Sequence, residues 1–271
     1  QDMSKPFLKW AGGKYKLVPF IETHIPTKKR KRLIEPFSGS AALSLSLDFE
    51  RYLLNDINTD LIVLFSNLKT EKHSFIDYAH SFFIPENNNE KKYYDLRDRF
   101  NHSTDTIERA ALFVYLNRHA FNGLCRYNSK GCFNVPFGRY KSPYFPETEM
   151  QAFVQKSERI DLTCSDFQTA LDAAEDGDTI YCDPPYAPLS ETSSFTSYSK
   201  SGFNLDEQKR LAETAKQIAR RAHGILISNH DTTFTREIYR GAVIKTVEVQ
   251  RSIAAKGSSR KKVGELLAIY E

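Results

Sequence analysis

The strongest constraint on the fold is Asp183-Pro184-Pro185-Tyr186, which directly follows the apolar run 178–182 (Asp-Thr-Ile-Tyr-Cys). That run predicts a buried strand, and the two prolines restrict the turn that ends it. A carboxylate and an aromatic ring are therefore held at the carboxyl end of a strand, where open α/β sheets bind ligands. A planar amine could stack on Tyr186 while donating hydrogen bonds to Asp183 and a turn carbonyl. Asp183, Pro184 and Tyr186 are therefore candidate catalytic residues, although such a segment can also simply terminate a strand.

A second α/β pattern lies near the amino terminus. Its predicted elements are a buried strand at 32–37, a turn with a helix-capping serine at Ser38-Gly39-Ser40, a helix at 41–49 and a strand at 51–55. Asp56 follows the second strand. This order is typical of a nucleoside-binding βαβ unit, in which the acid takes the ribose hydroxyls.

The cofactor class follows from the glycine turn. It carries one glycine, Gly39, instead of G-x-G-x-x-G, so a dinucleotide with its pyrophosphate is not favoured. S-adenosylmethionine suits the turn better, because it combines a nucleoside with a sulfonium and carries no phosphate. Phe37 could attract the sulfonium through its aromatic face, although packing in the core would explain Phe37 equally well.

Two further motifs exclude other enzyme classes. Residues 7–14 (Phe-Leu-Lys-Trp-Ala-Gly-Gly-Lys) are similar to a phosphate loop, but Tyr15 replaces its Ser or Thr and the earlier glycine is missing. A nucleotide triphosphatase is therefore excluded, while Trp10 offers an aromatic wall and Lys9 and Lys14 offer donors. Residues 228–231 (Ser-Asn-His-Asp) do not form a hydrolase triad, because adjacent side chains cannot do so unaided.

We expect a helix to follow that last motif. The helix is predicted to begin near Thr232, with Ser228 or Asn229 as its cap. The second α/β part has further predicted elements, which are strands at 160–164, 179–182 and 224–228, a helix at 206–221 and an edge or antiparallel strand at 243–249. The Ser- and Thr-rich stretch 188–202 is predicted to be a mobile loop that could close over a bound nucleotide.

The middle of the chain has a different character. Apolar spacing predicts amphipathic helices at 61–68, 75–83, 93–100 and 107–116. A stretch without Asp or Glu follows at 118–146, where cations that include Arg126 and Arg139 alternate with aromatic residues. Cations bind phosphates and aromatic rings stack on bases, so this stretch favours nucleic acid. A basic segment that packs only on its own domain is the alternative.

Composition sets broad limits on the class of protein. The chain has 271 residues, a net charge of +4 and 40% hydrophobic residues, which fits a globular protein of one or two domains. No apolar run approaches the roughly 20 residues of a membrane span. The spacing of the four cysteines supports no metal site. Cys164 and Cys182 are predicted to be buried free thiols, as in a reducing cytoplasm.

Several motifs in one order resemble the Dam family of DNA adenine-N6 methyltransferases, in the α arrangement of amino-methyltransferases. The blocks that carry the resemblance are Phe7-Leu-Lys-Trp-Ala-Gly-Gly-Lys-Tyr15, Glu35-Pro-Phe-Ser-Gly39, Asn55-Asp-Ile-Asn58, Asn122-Gly-Leu-Cys-Arg-Tyr-Asn128, Phe133-Asn-Val-Pro-Phe-Gly-Arg-Tyr140, Asp183-Pro-Pro-Tyr-Ala-Pro-Leu189 and Ile227-Ser-Asn-His-Asp231. The resemblance implies an α/β, Rossmann-like S-adenosylmethionine-dependent methyltransferase sheet with helices on both faces. It also implies an inserted, mainly helical DNA-recognition domain. We therefore predict a catalytic domain at 1–58 and 147–271 and a target-recognition domain at 59–146.

The resemblance also implies roles for individual residues. Contacts to S-adenosylmethionine are expected from Trp10, Lys14, Phe37, Gly39, Asp56 and Asp183. Asp183 and Tyr186 would hold a flipped adenine of the sequence GATC. Arg126 would contact a guanine and Leu124 a thymine, while Lys9 and Tyr140 would contact bases or phosphates. Phe121 and Asn122 would fill the space that the adenine leaves, and Arg139 belongs to the same basic stretch.

The chain departs from the family just before the Asn122 block. The family often has tyrosines there, whereas this chain reads Arg118-His119-Ala120-Phe121, so stacking is expected without their hydroxyl groups. The sequence predicts a monomeric cytoplasmic enzyme that acts on double-stranded DNA, yields S-adenosylhomocysteine and uses no metal.

Other classes of protein remain open. One alternative is methylation of a different DNA site, and another is a non-catalytic DNA-binding regulator. Enzymes that act on a protein glutamine or on cytosine N4 commonly begin the turn with Asn or Ser instead of Asp183. The biological process served, whether replication, repair or restriction-modification, does not follow from the sequence.

Overall fold

The computed structural model describes residues 5–27, 30–190, 202–222, 224–252 and 260–271, in which strands alternate with helices except for a run of helices at 59–156 and two consecutive strands at the end. The strands are β1 Arg32–Glu35, β2 Arg51–Asp56, β3 Ile160–Cys164, β4 Thr179–Cys182, β5 Gly224–His230, β6 Val243–Ser252 and β7 Arg260–Tyr270. The helices are α1 Val18–Glu22, α2 Ala42–Ser46, α3 Thr59–Glu71, α4 His73–His80, α5 Glu90–His102, α6 Thr106–His119, α7 Glu147–Lys156, α8 Phe167–Asp172, α9 Leu205–Ile218 and α10 Thr233–Ile238. Short 3₁₀ turns occupy Tyr15–Leu17, Pro85–Asn87, Phe121–Gly123 and Ser157–Arg159.

The structure divides into two compact units, each built from several stretches of chain. The first unit comprises Gln1–Phe20, Ser38–Asp48 and Asp56–Cys164. The second comprises Ile21–Phe37, Phe49–Asn55 and Ser165–Glu271. These bounds differ from the predicted domains, and the assignment of 59–146 to target recognition stays a prediction.

A mixed sheet forms the centre of the second unit. Its strands run in the order β2-β1-β4-β5-β7-β6. The pairs β1–β2, β1–β4 and β4–β5 are parallel, whereas β7 is antiparallel to both β5 and β6. All residues of β4 and β5 are buried, which explains their continuous apolar runs. The sheet confirms the predicted Rossmann-like α/β class and the predicted antiparallel strand at 243–249.

The strand order creates a crevice at one edge of this sheet. β1 and β4 are neighbours in the sheet. The next strand after β1, which is β2, lies on the side of β1 away from β4, and the next strand after β4, which is β5, lies on the side of β4 away from β1. Ligands of open α/β sheets bind where the order reverses, outside the carboxyl ends of the strands. Phe37 follows β1 and Asp183 follows β4, so the two predicted motifs lie at this switch point.

Helix α6 is the centre of the first unit. It is buried at almost every position from Ala110 to His119, and α3, α4 and α5 pack on it. A helix that is apolar on all sides is typical of such a central position. Side chains cap three helices at their first turns: Asn58 accepts from Leu61 in α3, Asn89 from Lys92 in α5 and Asp105 from Ile107 in α6. The four helices predicted here are confirmed.

Two predictions of helix caps are wrong. The residue before α2 is Ala41 in a left-handed conformation, with φ of 59° and no side-chain cap, so Ser38 and Ser40 do not cap that helix. Thr232 caps α10 through the amide of Thr235, so Ser228 and Asn229 do not. Both belong to the buried strand β5, where their side chains have other partners.

Cysteine burial also differs from the prediction. Cys182 is buried, but Cys164 at the end of β3 is exposed. Residues 191–201 of the predicted loop 188–202 lie outside the described residues. None of the helices in the described part of the chain is long and apolar enough to cross a membrane.

Candidate active site and DNA-contacting surface

Buried side chains hold the turn that follows β4 through its backbone. Gln208 on α9 donates from Nε2 to the carbonyl oxygen of Pro185 at 2.7 Å. The amide of Ala187 donates to Oδ1 of Asn229 at 2.8 Å, and Nδ1 of His230 lies 2.7 Å from the carbonyl oxygen of Ala187. A carbonyl can only accept, so Nδ1 carries the proton. Three backbone groups of this turn are therefore fixed by side chains from α9 and β5.

Tyr186 is held at both ends of its side chain. Its hydroxyl donates to Oε2 of Glu265 at 3.2 Å, and its ring meets His230 edge to face at a centroid distance of 4.8 Å. Burial raises the pKa of Tyr186, and the negative charges of Asp183 and Glu265 raise it further. The phenol therefore stays protonated, and the half-buried ring offers a fixed surface for stacking.

The electrostatic character of this sheet edge is negative. Burial raises the pKa of Tyr181 well above its usual range, with added effects from the carboxylates of Asp183, Glu35 and Glu265. Glu35 and Glu265 are buried, whereas Asp183 is half-buried. A site with fixed acceptors and negative charge favours a ligand that donates hydrogen bonds or develops positive charge.

Phe37 lies at the carboxyl side of β1 and packs against two aromatic rings. It stacks on Phe167 at 5.3 Å between centroids and meets Phe203 edge to face at 5.6 Å. Phe37 is half-buried, so it supports the core and still has some exposed surface. Phe37 therefore packs in the core, which was the alternative to a contact with the sulfonium.

The first unit brings together three of the predicted cofactor residues. The amide of Gly39 donates to Oδ2 of Asp56 at 3.0 Å, and the amide of Asn58 donates to Oδ1 at 2.9 Å. Burial raises the pKa of Asp56, although these backbone donors oppose the shift. The indole of Trp10 lies over Gly39, since a Cβ on that glycine would be 2.9 Å from the indole Cδ1. Only glycine fits beneath this ring at φ of 47°.

Two neighbours complete this cluster. The hydroxyl of Ser38 is buried and has no hydrogen-bond partner among the residues that the structure describes. Lys14 is buried, and its Nζ donates to the carbonyl oxygen of Gly12 at 2.8 Å. Lys14 was predicted to donate to a ligand, and in the structure it donates to the glycine turn. Among the described residues, no group of three or more His, Cys, Asp and Glu side chains is placed to hold a metal ion.

Four predicted DNA contacts form a second cluster in the first unit. Nζ of Lys9 lies 4.5 Å from the ring centroid of Tyr140, and the Tyr140 hydroxyl accepts from the amide of Asn122 at 2.9 Å. Asn122 has φ of 54°, and its neighbour Phe121 is 47% exposed. An exposed ring beside a cation and a polar side chain is a suitable surface for bases.

The other predicted contacts have separate partners. Arg126 is exposed and donates from Nε to Oδ1 of Asn134 at 2.8 Å. Leu124 is half-buried. Arg139 pairs with Glu90 at 3.1 Å, and both side chains are mostly exposed. Such an exposed pair contributes little to stability, so Arg139 can exchange Glu90 for a phosphate.

Sequence reasoning missed the residues that support both clusters. Gln208, Asn229 and His230 were not assigned to the turn, and Glu265 was not noticed, although an acid within the apolar run 263–270 is itself a signal. Asn117 was missed as well. It accepts from the amide of Lys9 at 2.9 Å and donates to the carbonyl oxygen of Lys9 at 2.7 Å.

Comparison with known proteins identifies the family. The family model for D12 class N6 adenine-specific DNA methyltransferases matches residues 10–253. A DNA adenine methylase of Vibrio cholerae is 51% identical over 267 residues, which cover 98% of this chain and 96% of the relative. The DNA adenine methylase of Escherichia coli K12 is 48% identical over 268 residues, with coverages of 99% and 96%. That of Haemophilus influenzae is 51% identical over 268 residues, with coverages of 98% and 93%.

The matches extend over nearly the whole chain and include both the glycine turn and the Asp183 turn. They confirm the enzyme class that the motifs predicted. The chain belongs to the D12 class of N6 adenine-specific DNA methyltransferases.

Proposed function

We propose that this enzyme methylates the N6 atom of adenine within GATC in double-stranded DNA, with S-adenosylmethionine as the donor and S-adenosylhomocysteine as the product. The observation that carries the proposal is the turn at Asp183, whose backbone is fixed by Gln208, Asn229 and His230 at the carboxyl end of β4. Immobile acceptors are what an exocyclic amine needs during methyl transfer.

The residues of the turn would act on the amine by hydrogen bonding. The N6 lone pair of adenine is delocalised into the ring, so the amine is a weak nucleophile. Asp183 and the carbonyl oxygen of Pro184 would accept its two N–H groups, while Tyr186 stacks on the ring. Positive charge develops on the nitrogen during transfer, so these bonds strengthen in the transition state. Asp183 need not remove a proton for this effect.

The cofactor residues suit a nucleoside with a sulfonium. When bound, S-adenosylmethionine supplies an electrophilic methyl group. Asp56 accepts from the backbone of Gly39, Ile57 and Asn58, and since a carboxylate has about four acceptor sites, it can still accept from a ribose hydroxyl. Trp10 and Phe37 offer aromatic surface, and the unpaired hydroxyl of Ser38 could bond to a polar part of the donor. Lys14 would support the glycine turn, since its ammonium already bonds to Gly12.

Base flipping follows from the position of the acceptors. An adenine inside a duplex cannot reach a turn at a sheet edge, so the base must leave the stack, at a cost of a few kcal/mol. Phe121 and Asn122 would occupy the vacated space, with Lys9 and Tyr140 beside them. Arg126 would contact a guanine edge and Leu124 a thymine, while Arg139 contacts a phosphate. We further propose that the enzyme acts as a monomer in the cytoplasm.

One experiment tests the reaction and the site together. Purified enzyme is incubated with S-adenosylmethionine carrying a labelled methyl group and with duplexes that contain GATC or a single change in it. The DNA is then digested to nucleosides. We expect label only in N6-methyladenine and mainly from the GATC duplex. Equal labelling of the altered duplexes would refute the GATC assignment, and label in cytosine would refute the whole proposal.

A further inference from the structure

Two primary amides lie in the apolar core of the second unit. Gln208 on α9 is 1% exposed and Asn229 on β5 is 0% exposed. Their surroundings include buried apolar residues such as Leu211 and Ile227. Burying an amide costs free energy unless its donors and acceptors are satisfied. A core designed only for stability would use apolar side chains at these positions, so the two amides need an explanation.

The two amides form a hydrogen-bonded bridge across the turn. Nε2 of Gln208 donates to the carbonyl oxygen of Pro185 at 2.7 Å, and Oε1 of Gln208 accepts from Nδ2 of Asn229 at 3.0 Å. Oδ1 of Asn229 accepts from the amide of Ala187 at 2.8 Å. The bridge therefore joins the carbonyl group of Pro185 to the amide group of Ala187, on either side of Tyr186.

Asn229 has two further partners, and one of them is the amide of His230, which donates to its Oδ1 at 2.8 Å. Nδ2 of Asn229 also lies 3.0 Å from the hydroxyl of Tyr239, a buried residue that follows α10. Both hydrogens of that amide are thus used, and the side chain cannot rotate without losing them. A fully satisfied buried network of this kind is rigid and specifies one arrangement.

We propose that Gln208 and Asn229 are positioning residues for methyl transfer, which act through the backbone of residues 185–187 and do not touch the substrate. They fix the direction of the Pro185 carbonyl and of the Ala187 amide. They thereby fix Tyr186 and the acceptors at Asp183. This inference rests on the role proposed above for the turn. Because a misplacement of about 1 Å can slow a reaction by about 100-fold, loss of the bridge reduces the rate of transfer more than the affinity for either substrate.

Gln208→Met and Asn229→Leu test the proposal, since each removes the bridge and keeps most of the volume. The methyl-transfer rate is measured in a single turnover at saturating S-adenosylmethionine and duplex. Dissociation constants are measured for both, and base flipping is followed by the fluorescence of 2-aminopurine at the target position. We expect the single-turnover rate to fall about 10- to 100-fold, while both dissociation constants and the fluorescence stay within about 2-fold of wild type.

Gln168→Met is the matched control. Gln168 contacts the same helix, because its Oε1 accepts from the hydroxyl of Thr214 at 2.9 Å, but it does not bond to the turn. The control should lose stability and keep its single-turnover rate. If Gln208→Met does not fold, Gln208→Ala decides, because the short side chain removes the hydrogen bond to Pro185 and buries no unpaired polar group of its own. Wild-type rates in the folded Gln208 variants, or an equal loss of rate in Gln168→Met, overturn the proposal.

A third variant separates this inference from the proposed function. If Asp183→Asn keeps full activity, the turn is not the catalytic site and the proposed function fails. If Asp183→Asn is inactive while the Gln208 variants are fully active, only the bridge proposal fails. If wild type methylates adenine at a sequence other than GATC, the same comparison is made with that sequence.

Discussion

The turn at Asp183 and the cluster around Lys9 both have a backbone fixed by buried side chains, but Asp183 and Tyr186 are half-buried whereas Lys9 is exposed. At the turn, the backbone of residues 185–187 is fixed by buried side chains from α9 and β5. At the cluster, Asn117 bonds to both the amide and the carbonyl of Lys9, while the Lys9 side chain itself is exposed. One region fixes the backbone in order to aim acceptors, and the other fixes the backbone so that a long side chain can extend.

A glycine in the first unit lets the side chain of Lys9 extend. A Cβ on Gly123 would lie 2.6 Å from Cβ of Lys9, so this glycine allows the lysine stem to lie directly on the Asn122 loop. The ammonium group then rests against Tyr140. Chemistry on one amine requires acceptors with little freedom, whereas recognition of a duplex requires side chains that reach outward and adapt. The difference between the two regions predicts different consequences of mutation.

The largest effect is expected for Asp183→Asn. The change keeps the shape of the side chain but replaces an acceptor by an amide that faces the N–H groups of the target base. We expect a loss of about 10²- to 10³-fold in kcat, similar to the loss of one oxyanion-stabilising group, with DNA affinity within about 2-fold of wild type. Initial rates and fluorescence anisotropy measure the two quantities.

Asp231→Asn provides the matched control for that variant. Asp231 directly follows β5, and its oxygens bind the guanidinium of Arg236 on the protein surface. The Asp231→Asn variant should keep the wild-type kcat. Appreciable activity in Asp183→Asn would show that the turn does not use a carboxylate and would remove the contrast between the regions.

Gly39→Ala is expected to weaken binding of the methyl donor by about 100-fold. The new methyl group would lie 2.9 Å from the Trp10 ring at φ of 47°, so either the indole moves or the backbone changes. Both responses disturb the amide that donates to Asp56, and strain of this kind costs about 1–3 kcal/mol. Isothermal titration with S-adenosylhomocysteine measures the effect. In Gly224→Ala the new methyl group meets open space, so that control should bind normally.

Arg126→Ala is expected to cost about 1–3 kcal/mol of discrimination at one guanine. Its guanidinium is oriented by Asn134, which leaves other N–H groups for a base edge. The ratio of kcat/KM values for GATC and for a duplex with that guanine replaced measures the loss. Lys130→Ala on the same segment should instead weaken the binding of all duplexes equally. It should also reduce the slope of log K against log salt concentration by about one. If Arg126→Ala behaves like Lys130→Ala, Arg126 contacts phosphate and not a base.

Local sequence patterns were sufficient to predict the strands that carry the motifs. Apolar runs predicted β1, β4 and β5, and the motifs that follow β1 and β4 lie at the switch point of the sheet. The side chains that fix the turn could not be found in this way. The spacing of Gln208 with Leu211 and Ala215 places it on the apolar face of an amphipathic helix. Its partner is not indicated by any local pattern, because Pro185 is 23 residues away in the chain.

Other failures have the same physical origin. Ser228 and Asn229 have the composition of a helix cap, but their bonds to Tyr181 and Ala187 depend on which strands pair with β5. Asn117 and Lys9 are 108 positions apart. Long-range partners of polar side chains follow from the tertiary fold, so local propensity alone does not determine them.

The last expected effect concerns the pH dependence of stability, and it tests the packing around the Lys9 cluster. His119 is buried beneath this region, and its backbone carbonyl accepts from the amide of Gly138. Burial lowers the pKa of His119 from 6.5 to about 4, against a hydrogen bond to Tyr115 that raises it. At pH values between about 4 and 6.5, His119 binds a proton in the unfolded chain but not in the folded chain. Stability is therefore complete above pH 6.5 and falls as the pH decreases toward 4, by about 2 kcal/mol between pH 7 and pH 5.

His119→Gln removes the titrating group and should flatten this dependence, and His73→Gln at the exposed start of α4 is the control for replacing a histidine. Urea unfolding is followed at each pH by the fluorescence of Trp10, the single tryptophan of the chain, which lies in the same unit as His119. Since pH also affects other groups, the informative quantity is the difference between wild type and variant. A difference that does not change between pH 7 and pH 5 would show that His119 has the same pKa in the folded and the unfolded chain. At pH 5 the cluster around Lys9 would then lie over a charged imidazole, and not over the neutral ring that burial favours.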